Sequence, residues 1–129
     1  MDDNGLITVE SPHSVPETLD RLEAALREKG IQVFARIDHT AGAAAVGLAL
    51  RPTVLLIFGD PRAGTPLMQA DQRVGLDLPL KALAWAGDDG CSRVTYCDPR
   101  WIAARYAMPD GIADRLAAAL EGLVKAATS

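Results

Sequence analysis

Thr53-Val54-Leu55-Leu56-Ile57-Phe58 is the stretch on which the fold turns. Its β-branched and apolar side chains run without alternation, the pattern of a strand covered on both faces rather than one lying half in water. Pro52 resets the chain before it, and Gly59-Asp60-Pro61 ends it. A small domain with helices on only one side of its sheet would leave the second face of this strand wet. Either helices lie on both sides, or another subunit covers it.

The flanking segments read outward from that strand. Upstream, Ile31, Val33, Ala35 and Ile37 share one parity, so a second strand carries Gln32, Phe34 and Arg36 on its other face and closes at Asp38-His39-Thr40. Between the two, Thr40 to Leu50 is rich in alanine, but Gly42 and Gly47 each cost about 1 kcal/mol relative to Ala, which predicts a short, weak helix. Further back, Leu6 to Glu10 alternates as a first strand with Ile7 and Val9 inward, and Pro12 ends it. Ser14-Val15-Pro16-Glu17 is a capping box opening a helix along Val15, Leu19, Leu22 and Leu26, and Lys29-Gly30 is its stop. Downstream, Thr65 to Asp71 reads as a short helix and Leu78 to Trp85 as a strand with Pro79 near its start. The turn Gly87-Asp88-Asp89-Gly90 joins that strand to Ser92–Cys97 as a hairpin. Asp98-Pro99 is a helix cap with proline at the first helical position, Met108 to Gly111 breaks the chain, and a last helix carries Ile112, Leu116, Leu120, Leu123 and Val124 on one face. The sum is one α/β domain over residues 1–129, with α+β as the alternative. It is a two- or three-layer arrangement with about five strands in a mixed sheet, packed helices and a C-terminal helix. The first three strands are expected to run parallel through right-handed crossovers.

Composition fits this reading. A chain of 129 residues, 49% hydrophobic and 23% charged, can hold one core without a disulfide or structural metal. The net charge of −4 has the wrong sign for a default binder of nucleic acid or anionic membrane, and aromatics at 5% are too sparse for single-strand stacking. Cys91 and Cys97 match neither a redox nor a zinc-knuckle spacing; on one strand they lie roughly 20 Å apart, too far for a disulfide. The acidic start Met1-Asp2-Asp3-Asn4-Gly5 lacks a signal-peptide pattern, and no apolar run reaches about 18 residues. A reducing cytoplasm is the expected compartment, with no nucleic-acid or membrane partner.

The order of several short pieces carries a resemblance. Asp38-His39, Gly59-Asp60-Pro61, Gly64-Thr65-Pro66-Leu67-Met68 and Leu76-Asp77-Leu78-Pro79-Leu80-Lys81 occur in sequence, with Glu17-Thr18 before them and Tyr96 to Pro99 after. Together they resemble family 302 of the domains of unknown function over nearly the whole chain. The resemblance implies a compact α/β domain that self-associates as a dimer, with no agreed activity, ligand or catalytic residue. One departure is Asp60, where the family's pattern has Asn after the Phe-Gly pair.

Two constellations bear on chemistry. Gly59 and Gly64 have the spacing of a phosphate loop, but Thr65-Pro66 stands where Lys-Ser/Thr belongs, so neither the ammonium nor the amide is there. Turn glycines of unusual backbone angle are the preferred reading. If the first three strands are parallel, their C-terminal ends bring His13, Asp38, His39 and Asp60 to one edge, and the hairpin adds Asp77, Tyr96 and Cys97. Such a cluster would supply ligands for a divalent metal or an imidazole beside carboxylates acting as general base. The plainer reading, which is preferred, gives Asp38, Asp60 and Asp77 the capping of turns and His39 the end of a strand. No cofactor and no metal site is assigned. The function these residues point to is binding of a small molecule or anion, without catalysis, by a homodimer. The candidate ligand contacts are Asp38, His39, Gly59, Asp60, Gly64, Thr65, Asp77 and Tyr96. An enzyme using His39 with Asp38 or Asp60, metal-assisted or not, and a purely structural dimer scaffold are the alternatives.

Overall fold

The structure, a computed structural model, describes residues 4–129; Met1, Asp2 and Asp3 of the opening stretch read above lie outside the described residues. Strand β1 (Leu6–Ser11) leads into helix α1 (Val15–Glu28), followed by β2 (Gln32–Asp38), α2 (His39–Ala45), β3 (Thr53–Gly59) and α3 (Pro61–Ala70). A 3₁₀ turn (Gln72–Leu76) precedes β4 (Leu80–Ala86), β5 (Ser92–Cys97), α4 (Pro99–Arg105) and α5 (Asp114–Ala127). The five strands form one sheet in the order β1-β5-β4-β3-β2, and every neighbouring pair is antiparallel. The result is an α+β domain with a C-terminal helix.

Local chemistry sets the element ends as the sequence indicates. The Glu17 amide donates to Ser14 Oγ at 3.2 Å, and the Ile31 amide donates to the Leu26 carbonyl at 2.9 Å around Gly30, which holds φ +71°. Asp98 is 1% exposed and its Oδ1 accepts from the Arg100 amide at 2.8 Å, with Pro99 in the first turn of α4. Gly5 is required by position. It sits at φ +78°, and a Cβ there would lie 2.6 Å from Cδ2 of Trp101.

Three expectations need correction. The first three strands are not all parallel: β1 and β2 share a direction at opposite edges, while β3 is reversed against β2. The link explains why. The link between them doubles back: α2 leads out, Gly47 at φ +79° turns the chain, and Thr40 Oγ1, bonded to the Arg51 carbonyl and the Thr53 amide, ties the two ends of the link together, so β3 starts at the end where β2 finished. Second, a bulge at Phe34 breaks the parity of β2. Val33 pairs with Phe58, whose side chain is buried, whereas Ala35 and Ile37 pair with Ile57 and Leu55 on the other face.

Third, of the two covers expected for β3, helices on both sides are not what this chain builds: in a single copy one face is covered, and cover by a second subunit stays an expectation. Val54, Leu56 and Phe58 are buried with Leu19, Leu22 and Leu26 of α1 and Leu120, Leu123 and Val124 of α5, while Leu55 and Ile57 are half-buried. Both long helices therefore lie on one side of the sheet, giving two layers. The continuous apolar run marks a strand whose second face is left for something else to cover.

Candidate functional site

Reversal of β3 divides the predicted cluster between two ends of the sheet. At one end lie the finish of β1, the finish of β2 and the start of β3, with His13, Asp38 and His39. At the other lie the finishes of β3 and β5 and the approach to β4, with Gly59, Asp60, Asp77, Tyr96 and Cys97. His39 and Asp60 are thus separated by about a strand length, roughly 20 Å. The proton relay between them is not built. Among the described residues, no group of three His, Cys, Asp or Glu side chains is placed to hold a metal ion.

Asp38 and Asp60 act as caps. Asp38 Oδ1 accepts from the Ala41 amide at 2.9 Å, and Asp60 Oδ1 accepts from the Arg62 amide at 3.0 Å and from its guanidinium at 3.2 Å. Those bonds, the backbone one foremost, hold the Asp60 carboxyl below its ordinary range. His39 opens α2 and is exposed.

At the second end the chain builds a cavity of about 320 Å³. The finish of β3 supplies Gly59, α3 supplies Gly64, Thr65 and Met68, and Asp60-Pro61 lies between them. Leu78, Pro79 and Leu80 form a second wall, entered through a cis Leu78-Pro79 bond. Phe34, Gly75 and Leu116 complete the lining. Four of the predicted candidates, Gly59, Asp60, Gly64 and Thr65, therefore meet in one place. The glycines serve space rather than backbone angle, since neither has positive φ. A Cβ on Gly59 would come 3.3 Å from Phe34 Cε2, and one on Gly64 would reach Leu78 Cδ1 at 3.6 Å and Met68 Cε at 3.8 Å.

Phe34, Gly75 and Leu116 were not legible as site residues. The bulge re-aims Phe34, and Leu116 reads in the sequence as one more apolar position of an amphipathic helix. Pro66 inside α3 was the available signal that this helix is not an ordinary one.

Asp77 and Tyr96 go elsewhere. The Tyr106 hydroxyl donates to Asp77 Oδ2 at 2.5 Å, and Arg105 Nη1 reaches both carboxylate oxygens at 3.2 Å. This bond, with burial second, raises the Tyr106 hydroxyl's pKa. Tyr96 is buried, which pushes its hydroxyl up. Asp77, Cys97 and Lys81 line a separate depression beside Leu6, Leu55 and Leu83, and burial there raises the Cys97 thiol. Both cysteines are free thiols.

The family description "Domain of unknown function DUF302" matches residues 7–127. The chain belongs to the DUF302 family. A crystal structure of an uncharacterized conserved DUF302 protein from Bacillus stearothermophilus superposes with a TM-score of 0.87, at 22% identity, over 95% of this chain and 98% of that one. At that identity the likeness is one of fold. This DUF302 chain is also 51% identical over 106 residues to a protein of Brucella suis, and to one of Brucella abortus, each named fluoride-specific ion channel FluC 1. The match covers 82% of this chain but only 42% and 39% of those proteins, so the chain spans about two-fifths of their length. Among the described residues of this chain, no helix is long and apolar enough to cross a membrane.

Proposed function

We propose that this DUF302 domain is a non-catalytic binding protein for a small, uncharged, largely apolar molecule. The convergence of α3, the Leu78-Pro79 segment and Phe34 on one cavity is the observation that supports this reading. Its volume falls at the lower end of the range used for small ligands, and its walls are mainly aliphatic, aromatic and thioether groups with a few polar ones, as such sites are. Polarity decides against the anion. The charged lining residue is the Asp60 carboxylate, whose Oδ1 already accepts from Arg62. An anion would meet like charge, whereas a neutral ring with one donor would be oriented by Asp60 and the Thr65 hydroxyl. Self-association as a dimer and a cytoplasmic setting belong to the same proposal.

Methionine provides the test. Met68 lines the cavity and Met108 is buried away from it, so methyl-labelled methionine gives a reporter and an internal control. Native mass spectrometry of freshly purified protein identifies any retained ligand; in parallel, indole is titrated as a probe. The expected result is a saturable shift of the Met68 methyl signal with Met108 still. Equal movement of both signals, or of neither at millimolar indole, would overturn the reading.

The 51% identity to the Brucella proteins supports a second reading, in which the domain serves fluoride handling as an accessory to the part of those polypeptides that this chain does not match. Co-expression with that remaining part should then change fluoride tolerance of the host; an unchanged tolerance together with no co-purification counts against it.

A further inference from the structure

Two apolar surfaces of a single copy have nothing over them among the described residues. One is the sheet face turned away from α1 and α5. Register puts Leu55 between Ile37 and Leu83, with Thr95 beyond, and Ile57 beside Ala35. Leu55, Ile57 and Leu83 are half-buried, and Ile37 is exposed. The other is the arm between β2 and β3. Residues 41–50 read Ala-Gly-Ala-Ala-Ala-Val-Gly-Leu-Ala-Leu, with no charge and no side-chain hydrogen-bonding group, yet Val46, Leu48 and Leu50 are 72%, 67% and 46% exposed.

The arm is shaped although nothing buries it. The Asp38 cap starts α2, and Thr40 Oγ1 donates to the Arg51 carbonyl at 3.0 Å while accepting from the Thr53 amide at 2.8 Å. Its far end is closed by Gly47 at φ +79° and by the Leu48 amide donating to the Ala43 carbonyl at 2.9 Å. A backbone already held in shape has less conformational freedom to lose on docking.

We propose that the chain forms a two-fold dimer in which the arm of each copy packs on the outer sheet face of the other, over Leu55, Ile57 and Leu83. An isologous arrangement covers both surfaces at once, because both reside on every copy. The areas reach what a dimer needs: the three exposed arm side chains present about 300 Å² and cover a similar area of the facing sheet, so each partner buries roughly 600 Å², the lower end of the range for a stable interface. The charges lie toward the two ends of the face: Lys81, cross-strand from Ile57 and in one depression with Asp77, toward one, and the pair Arg93–Glu10, 3.9 Å apart, toward the other, so the uncharged arm is left the strip of Ile37, Leu55 and Leu83 between them. This inference rests on the self-association proposed above: a monomer fails both, a dimer indifferent to the arm fails only this one, and ligand binding is read separately at Met68.

The test is sedimentation velocity of the full chain from 1 to 100 µM, with Leu48→Glu and Leu83→Glu. Wild type should be a dimer, and each variant should raise the dimer dissociation constant at least tenfold. Leu48→Glu should do so at unchanged circular dichroism, since that side chain is mostly in water already. Should Leu83→Glu not fold, a photocrosslinker at position 48 in mixed light and heavy protein decides the face: crosslinks between copies onto β3 or β4 peptides are expected. A monomer at 100 µM, undiminished dimerisation of Leu48→Glu, or crosslinks onto α1 or α5 would overturn the proposal.

Discussion

Gly64→Ala sets the stability of the domain against its cavity. Gly64 is the fourth residue of α3, its amide donates to the Asp60 carbonyl at 3.0 Å, and its φ is not positive, so alanine fits the backbone. Replacing a helical glycine by alanine contributes roughly 0.5–1 kcal/mol, mostly by limiting the unfolded chain. The new Cβ meets Leu78 Cδ1 and Met68 Cε at 3.6 and 3.8 Å, ordinary contact distances, so no clash offsets the gain. For a domain of this size the melting temperature should rise by about 2–5 °C. The same methyl takes space from the ligand. One methyl's worth of lost apolar contact, about 0.8 kcal/mol, corresponds to roughly fourfold weaker binding of indole. Leu at the same position should abolish the Met68 response altogether. Differential scanning calorimetry and the methionine titration read the two effects separately. A lower melting temperature, or unchanged indole affinity in the Leu variant, would refute the reasoning that this glycine is kept for room.

Further outcomes follow from single contacts. Gly5→Ala should lower stability by about 2 kcal/mol or more in urea unfolding, because a positive φ and the Trp101 ring both oppose a side chain; a loss below about 0.5 kcal/mol would show that the ring simply moves. Asp98→Ala should cost about 1 kcal/mol through the lost cap of α4, with Asn restoring most of it. Burial raises the Asp98 carboxyl, but the bonds from the Arg100 side chain and amide outweigh it and leave it below its ordinary value. Its ionic contribution is therefore present above the unfolded value near 3.9 and is lost as pH falls through the lower folded value, so the stability gap between wild type and Asp98→Asn should close below about pH 4. A gap unchanged from pH 7 to pH 3 would sink that assignment. Leu56→Ala, at a fully buried position of β3, should cost about 2–5 kcal/mol by thermal unfolding.

Much of the candidate site could be read in advance, and the rest hangs on strand direction, a bulge and a pairing across nearly thirty residues. Gly59, Asp60, Gly64 and Thr65 are neighbours in sequence around a single strand-to-helix turn, so their meeting needed no topology. Asp38 and His39 were joined to them only by assuming that β3 runs with β2, and the reversed strand carries them to the far end. Phe34 enters the cavity lining next to a bulge, a one-residue irregularity that a strict period of two conceals. Asp77 finds Tyr106 and Arg105, which lie 29 and 28 residues away and carry no local sign of the pairing.

Local sequence settled several elements and ends, namely the Ser14 and Asp98 caps, the Gly30 stop, the hairpin at 87–90 and the apolar faces of α1 and α5, but not the start of α3, which lies at Pro61 rather than Thr65. These depend on bonds and periodicities within a few residues, which local chemistry settles. Tertiary structure alone decided strand direction, the side on which both helices lie, and hence which apolar face stayed bare. Those choices depend on how a connection doubles back, as Thr40 bonded to Arg51 and Thr53 shows, and on contacts between residues far apart in the chain. The unbroken run from Val54 to Phe58 said that both faces of β3 are apolar; only the packed fold showed which of them this chain leaves uncovered.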